Sequence, residues 1–368
     1  MRSRVRASKP PDFTLFLTVL ILLSIGVVMV FSASQYAALV RYNDAFYFFK
    51  RQFIYAGLGL VGMFFFLNFD YRNFRRLAIP LLCLSFLFLV LVLLPGVGFT
   101  SHGAQRWINL GPVTFQPSEV VKFGIVVFTA FGLSQLQPGV RHFREIIPFL
   151  GVAGLAAVLI LLQPDLGTAV ALTGTVFIML FCAGTSPAAL SVVGMGGLAA
   201  VGVAICLEPY RLQRFLAFLD PWKDPQGSGF HIIQSLYAIG SGGLFGMGLG
   251  QGKQKFLYLP EQHTDFIFAV ISEELGFIGA TLVIALFIVF IWRGLRIALY
   301  APDTFASLLA TGITAGVGLQ ALINIGVVTG TLPVTGIPLP FISSGGTALV
   351  FTLAAVGVLL NISRFVTR

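Results

Sequence analysis

Apolar residues in this chain gather into long unbroken runs, and polar residues are confined to the segments between them. About 20 apolar residues in a helix cross a hydrocarbon core of about 30 Å at 1.5 Å per residue. The pattern predicts ten such helices, at residues 13–31, 53–67, 77–94, 118–136, 147–162, 166–182, 188–207, 264–292, 305–328 and 343–362. A transmembrane β-barrel would instead show alternating segments of about ten residues. The expected fold is therefore an all-α polytopic membrane protein with ten transmembrane helices in one membrane domain, residues 1–368, and a large loop, 208–263, between the seventh and eighth.

Composition agrees, with 57% of residues apolar and only 10% charged, where soluble domains are near a quarter charged. The net charge of +9 would hint at nucleic acid in a soluble protein; here the basic residues punctuate the spans, so they report topology. Cys83, Cys182 and Cys206 lie in apolar runs with no CxxC or metal spacing and are expected as small core residues. Arg2, Arg4, Arg6 and Lys9 precede the first run, and Ser32-Ala33-Ser34 resembles a cleavage site. That run is longer than a signal h-region of about 7–15 residues, which favours an uncleaved first span.

Basic residues also set orientation. With residues 1–11 in the cytoplasm, thirteen Lys and Arg flank the inner side and nine the outer, five of those nine inside the long 208–263 segment, where charge counts for less. Both termini are then expected to be cytoplasmic. The outer connections 96–117, 208–263 and 329–342 are long and chemically unusual, the inner ones short and basic. An enzyme or receptor for lipid-borne material on the extracytoplasmic face has this lopsided form. A channel would place polar residues along several spans, and no internal repeat supports an inverted-repeat transporter.

Candidate chemistry centres on Leu259-Pro260-Glu261-Gln262-His263-Thr264-Asp265, which feeds straight into an apolar run and then Glu273 and Glu274. Ionisable groups this near lipid are costly and mark function. If the helix begins near Thr264, Asp265 sits in its first turn, as a cap, a base or both. Glu273 would lie about 12 Å deeper and about 80° round the helix, too far for the close carboxylate pair of a retaining glycosidase.

Four further segments carry candidates. Arg106 beside Trp107 suits an interfacial anion site or a simple anchor. Pro117 suits a first helical turn and Ser118 its free N–H groups, while Glu119 and Lys122, three apart, share a helix face as a structural or a functional pair. Asp165, in the turn Gln163-Pro164-Asp165, is suited to a helix N-terminus. The glycine-rich stretch 240–252 leads to Lys253 and Lys255; it is not a P-loop, since Met247 holds the first glycine place and Gln254 follows Lys253. A flexible, backbone-exposed loop contacting phosphate or sugar, or a mere connector, is the alternative. Finally, three prolines and three glycines in Pro333 to Gly346 predict a non-helical re-entrant turn roofing a cavity beneath Asp265.

The runs GAQRWINLGPVTFQPSE, QPDLGTA, LPEQHTDFIFAVISEELGF and PVTGIPLPFISSGG, in this order, resemble the SEDS family (shape, elongation, division and sporulation) over essentially the whole chain. The stretch GLFGMGLGQGKQKFLYLPE is similar to the division and sporulation branch, the FtsW and SpoVE types. Ser344 departs from the tyrosine many members carry. The resemblance implies a SEDS fold and a peptidoglycan glycosyltransferase in the bacterial cytoplasmic membrane, polymerising lipid II into β-1,4 glycan strands for septal or spore-cortex wall. The family's essential aspartate falls on Asp265, its arginine on Arg106, and its glutamate and lysine on Glu119 and Lys122, with Asp165 the acid of the QPDLG turn. Lys253, Lys255 and His263 complete the expected substrate-binding set. No protein metal ligands are assigned, although a divalent cation, Mg2+ or Mn2+, could accompany the pyrophosphate. Implied partners are lipid II (undecaprenyl-pyrophosphate-linked disaccharide pentapeptide), a class B penicillin-binding protein and other divisome or sporulation wall-synthesis proteins, with no nucleic acid. A lipid II flippase and a non-catalytic scaffold remain alternatives.

Overall fold

The computed structural model describes residues 9–96, 98–101, 104–109, 111, 114–136, 142–253 and 259–366. Its α-helices are α1 (Phe13–Tyr42), α2 (Tyr47–Asn68), α3 (Asn73–Leu93), α4 (Pro117–Gln135), α5 (Ile147–Leu161), α6 (Leu166–Cys182), α7 (Pro187–Cys206), α8 (Pro209–Leu219), α9 (Phe230–Gly242), α10 (Ile267–Leu299), α11 (Thr304–Val328) and α12 (Thr347–Ser363). Each predicted span falls on a helix, α1–α7 or α10–α12. Among the described residues, α1, α3, α4, α7, α10 and α11 are long and apolar enough to cross a membrane, and α5, α6 and α12 are shorter apolar helices. The outer surface carries exposed Val61, Phe65, Leu198 and Leu299, as a protein bathed in lipid does. The chain is a multi-pass membrane protein.

Local chemistry sets several helix starts. Asp12, Asp165 and Asp303 accept the N–H of Leu15, Thr168 and Ala306, each at 3.0 Å, and Ser186 accepts that of Ala189. Pro117 occupies the first turn of α4 as expected. Ser118 does not cap it: its hydroxyl is buried without a hydrogen-bond partner, and Gln116 stands at the cap position.

The most buried long helix is α11, which packs against α4, α6 and α10, while α12 packs on α2 and α1 on α10. Ser32 lies buried inside α1 and donates to the Glu274 carboxylate at 2.6 and 2.8 Å to its two oxygens, so the small-residue stretch at 32–34 is continuous helix packed in the core.

Three expectations are corrected. The fold is not wholly helical: after α3, β1 (Gly98–Ser101), β2 (Ala104–Asn109) and β3 (Thr114–Phe115) form an antiparallel sheet in the order β1-β2-β3. The three cysteines are exposed, not core, because an apolar run in a membrane helix has a lipid face as well as a core face and the sequence does not separate them. The 208–263 segment is not a flexible loop over its described length. It holds α8 and α9, and its glycines dock into a break in α10.

That break is at Gly276, with φ 68° and ψ −166°. The backbone N–H groups of Phe277 and Ile278 donate to the carbonyls of Gly243 and Leu244, and those of Met247 and Gly248 to the carbonyls of Glu273 and Glu274. The carboxylates join in: Gly250 N–H donates to Glu274 at 3.0 Å and Lys253 N–H to Glu273 at 2.7 Å. Glu273 and Glu274 are thus structural, as their position relative to Asp265 suggested. The glycines are required by contact, since a Cβ on Gly246 (φ +81°) would stand 2.1 Å from the Glu274 carbonyl oxygen.

Gly246→Ala is therefore expected to lower stability by more than about 1 kcal/mol, read as a fall in Tm of the detergent-solubilised protein. Gly240→Ala, in α9 with nothing near its Cβ position, should be neutral or slightly stabilising. Equal Tm losses in both variants would contradict the docking account.

Candidate active site

Asp265 does not lie in a helical turn. α10 begins at Ile267, and residues 259–266 form a tight turn closed by Glu261, whose carbonyl accepts the N–H of Thr264 and of Phe266, each at 3.2 Å. Glu261 itself sits at φ 50°, a sparsely populated conformation for a non-glycine residue that its surroundings must hold. The cap role for Asp265 thereby falls away, because Phe266 stands at the cap position.

The proline-rich turn 333–346 holds this segment in place. Asn324 of α11 donates its side-chain amide to the carbonyls of Asp265 and Ile337, both at 2.7 Å. Ser343 donates to the Thr264 carbonyl at 2.6 Å while accepting from Leu339 N–H, and Ser344 N–H donates to the His263 carbonyl at 3.0 Å. Gly336 (φ +76°) brings bare backbone beside the carboxylate: a Cβ there would stand 3.4 Å from Asp265 Oδ2. The expected non-helical turn is present and packs against the Asp265 segment.

Beneath Asp265 lies a pocket of about 100 Å³ that brings together Arg106, Glu119, Lys122 and Asp165. Glu119 and Lys122 form an ion pair at 2.9 Å, and Lys122 also donates to Gln320, which in turn donates to the Pro338 carbonyl. The pair is both structural and pocket-lining. Asp165 caps α6 and also accepts from the Thr168 hydroxyl at 2.9 Å. Arg106, on β2, donates to the carbonyls of Gln163 and Pro164 and lies 3.7 Å from the Asp165 carboxylate. It fastens the small sheet to the turn between α5 and α6 while facing the cavity.

A second, wider cavity of about 750 Å³ shares Asp265, Arg106 and Trp107 with the first. Its cations come from separate elements: Arg41 from the end of α1, Arg51 from α2, Arg106 from β2 and Arg214 from α8. In the sequence Arg41 and Arg51 are only boundary residues on the outer side, since nothing local distinguishes a cavity arginine from a boundary one. Arg214 and His231 come from the long 208–263 segment, on α8 and α9. Arg214 packs over the Tyr210 ring at 4.3 Å and His231 stacks on Phe266 at 5.7 Å. Arg211, three residues before Arg214, is instead spent on the carbonyls of Ala204 and Leu161.

One of the expected substrate contacts changes. Lys253 is exposed and does not line either cavity, because its backbone is anchored to Glu273, eight residues beyond Asp265. Lys255 lies outside the described residues. His263 does line the wide cavity, packed against Phe48 at 4.3 Å between centroids.

Residues 13–368 match the family model FTSW_RODA_SPOVE, described as "Cell cycle protein". The chain is 51% identical to Stage V sporulation protein E of Bacillus subtilis over 96% of its length and 97% of that protein's. It is 46% identical to the probable peptidoglycan glycosyltransferase FtsW of Geobacter sulfurreducens, covering 96% and 95% of the two chains. Among solved structures it resembles a chain from work on structural coordination of polymerization and crosslinking by a peptidoglycan synthase complex, with TM-score 0.77, 34% identity and coverage of 96% and 98%. The rod shape determining protein RodA of Thermus thermophilus matches with TM-score 0.72, 31% identity and coverage of 97% and 98%. The chain belongs to the SEDS family.

In this SEDS protein the electrostatics of the two cavities differ from those of water in one decisive way. Burial pushes the Asp265 carboxyl up to about 7; the Glu261 carboxylate adds to the rise, and Arg106 and Arg214 oppose it. Burial also pushes His263 down to about 4, with Glu261 opposing, so His263 is neutral at pH 7. His231 is lowered by burial and then by Arg214.

A carboxyl raised from 3.8 to about 7 binds its proton more tightly folded than unfolded. Its ionisation then costs stability as pH rises through that window, about 1.4 kcal/mol for each pH unit separating the two values at most. Asp265→Asn removes the cost. We expect it to have a higher Tm than wild type at pH 8 and a similar one at pH 4, and no difference at pH 8 would refute the elevated pKa.

Proposed function

We propose that this protein is a peptidoglycan glycosyltransferase that polymerises lipid II, with Asp265 as its general base. The observation that carries the reading is one carboxylate, raised to about 7, at the wall between a wide cavity lined by four arginines and a deeper polar pocket. Its SEDS membership and its identity to a probable peptidoglycan glycosyltransferase support the same chemistry.

The chemistry follows from the bonds. Lipid II carries an α-linked sugar on a polyprenyl diphosphate, and the glycan linkage is β-1,4, so the anomeric carbon inverts in a single displacement. The acceptor hydroxyl oxygen bonds to that carbon, its proton passes to Asp265, and the carbon–oxygen bond to diphosphate breaks. A base with pKa near the working pH balances being ionised against holding the proton. Diphosphate leaves as an anion and needs cations, not a proton; Arg41, Arg51, Arg106 and Arg214 supply them from one wall set. Glu119 and Lys122 line the deeper pocket and shape its polar floor.

Among the described residues no three of His, Cys, Asp and Glu converge as a metal cage. The donor set suits only a cation, such as Mg2+ or Mn2+, that takes most of its oxygens from the diphosphate and water, and no step here is routed through one. Taking α1–α7 and α10–α12 as ten spans puts both termini in the cytoplasm and both cavities on the extracytoplasmic face, by the excess of Lys and Arg on the inner connections. A class B penicillin-binding protein is the partner that fits, since the similar solved chain comes from a complex coordinating polymerization and crosslinking. A septal or spore-cortex role accords with relatives named FtsW and Stage V sporulation protein E.

Purified wild type, alone and with the partner, should convert lipid II to polymer at a rate that rises with pH to a plateau, with the inflection near 7. Asp265→Asn should fold and make no polymer at any pH. Lipid II crossing liposomes without polymerisation would favour a flippase, and Asp265→Asn supporting wall synthesis in cells would favour a scaffold.

Arg214→Gln should lower polymerisation on the order of 10²–10³-fold in kcat, the loss found when one charge-stabilising donor is removed. Arg211→Gln, directed at helix carbonyls rather than the cavity, should act on Tm first. Equal kcat losses without a change in Tm would refute the division of labour.

A further inference from the structure

Between α4, α11 and α12 a third recess, of about 70 Å³, adjoins the pocket beneath Asp265. Its rim is Glu119, Lys122 and Gln320, the same three residues that line the pocket beneath Asp265. Past that rim the walls are hydrocarbon: Phe123 and Val126 from α4, Gly312 and Gly316 from α11, Phe351 and Ala355 from α12. Thr352 is the one hydroxyl, and it donates to Ala348 in its own helix at 2.7 Å. From Gln320 to Gly312 the recess follows α11 for eight residues, about 12 Å at 1.5 Å per residue. Phe123, Gly316, Phe351 and Ala355 are only half-buried, so the recess is open along its flank and not a sealed defect of the core.

We propose that this recess holds the first isoprene units of a lipid-linked diphosphate substrate. The inference rests on the glycosyltransferase reading and names where that substrate's chain lies. An amphiphile with an anionic head and a single hydrocarbon chain needs polar and apolar walls that meet at one line. Here Lys122 stands on that line, with the polar pocket and Arg106 on one side and hydrocarbon on the other. A phospholipid puts two chains beneath its headgroup, whereas this opening is one slot bounded by three helices. Bilayer hydrocarbon is as apolar as the slot, so little affinity comes from burying the chain. Its contribution is orientation: fixing the carbons next to the diphosphate aligns the breaking bond with Asp265, the kind of positioning that raises effective concentration.

The test uses the full-length protein in nanodiscs and a polyprenyl diphosphate carrying a diazirine on its second isoprene unit. The expected result is photolabel on α4, α11 or α12 at the recess, displaced by unlabelled polyprenyl diphosphate and not by added phospholipid. Ala355→Phe fills the slot and should cut both that label and kcat/KM for lipid II at least tenfold while keeping the wild-type Tm. Should that variant unfold, Gly316→Leu repeats the measurement from the opposite wall. Label spread over the lipid-facing surface, equal displacement by phospholipid, or full label in the filled variants would overturn the proposal. Labelling needs no turnover, so recess labelling with no polymer from wild type would fault the glycosyltransferase reading alone.

Discussion

Backbone that leaves a helix among apolar neighbours must find its hydrogen bonds in side chains, and this requirement organises the molecule. Residues 259–266 and 333–346 both abandon helical geometry, and each solves part of the other's deficit. Asn324 spans them with one amide donated to Asp265 and Ile337, Ser343 ties Thr264 to Leu339, and Gln320 holds Pro338. Unpaired backbone in hydrocarbon costs several kcal/mol per group, so these few polar side chains fix where Asp265 stands. The geometry around Asp265 is a by-product of satisfying irregular backbone.

Burial on these terms has an electrostatic consequence. The same packing that immobilises the Asp265 segment leaves its carboxyl only partly exposed and raises its proton affinity, against the pull of Arg106 and Arg214. Arg106 illustrates how the charges are kept affordable: its donors go to the carbonyls of Gln163 and Pro164 and its charge sits near Asp165. A cation already fixed by protein partners needs little reorganisation to meet an anion. Lys122 is held likewise between Glu119 and Gln320. The site is preorganised because each charge has a structural duty as well.

A second arrangement reaches the site from further away. Glu273 and Glu274 bind the N–H groups of Lys253 and Gly250, and the break at Gly276 accepts the glycine strand 243–248. This docking anchors the C-terminal end of α9, and α9 and α8 bring His231 and Arg214 to the cavity. Glycine density that looked like looseness is close backbone contact.

The sequence by itself determined the membrane class and the positions of α1–α7 and α10–α12, which follow from apolar run length. The family and the grouping of Arg106, Glu119, Lys122, Asp165 and Asp265 followed from the resemblance carried by its ordered motifs. The helix cap at Asp165 was equally local. What only the tertiary structure decided depends on contacts between distant segments. Arg41 and Arg51 join the cavity because the ends of α1 and α2 meet there, while Lys253 leaves it because Glu273 captures its backbone. The three cysteines face outward because a membrane helix is apolar on both its lipid and its core sides, so hydrophobicity no longer encodes burial. Even the start of α10 was set from outside the segment, by Asn324 and Ser343 holding residues 264 and 265 in a turn that their own sequence would have let continue as helix.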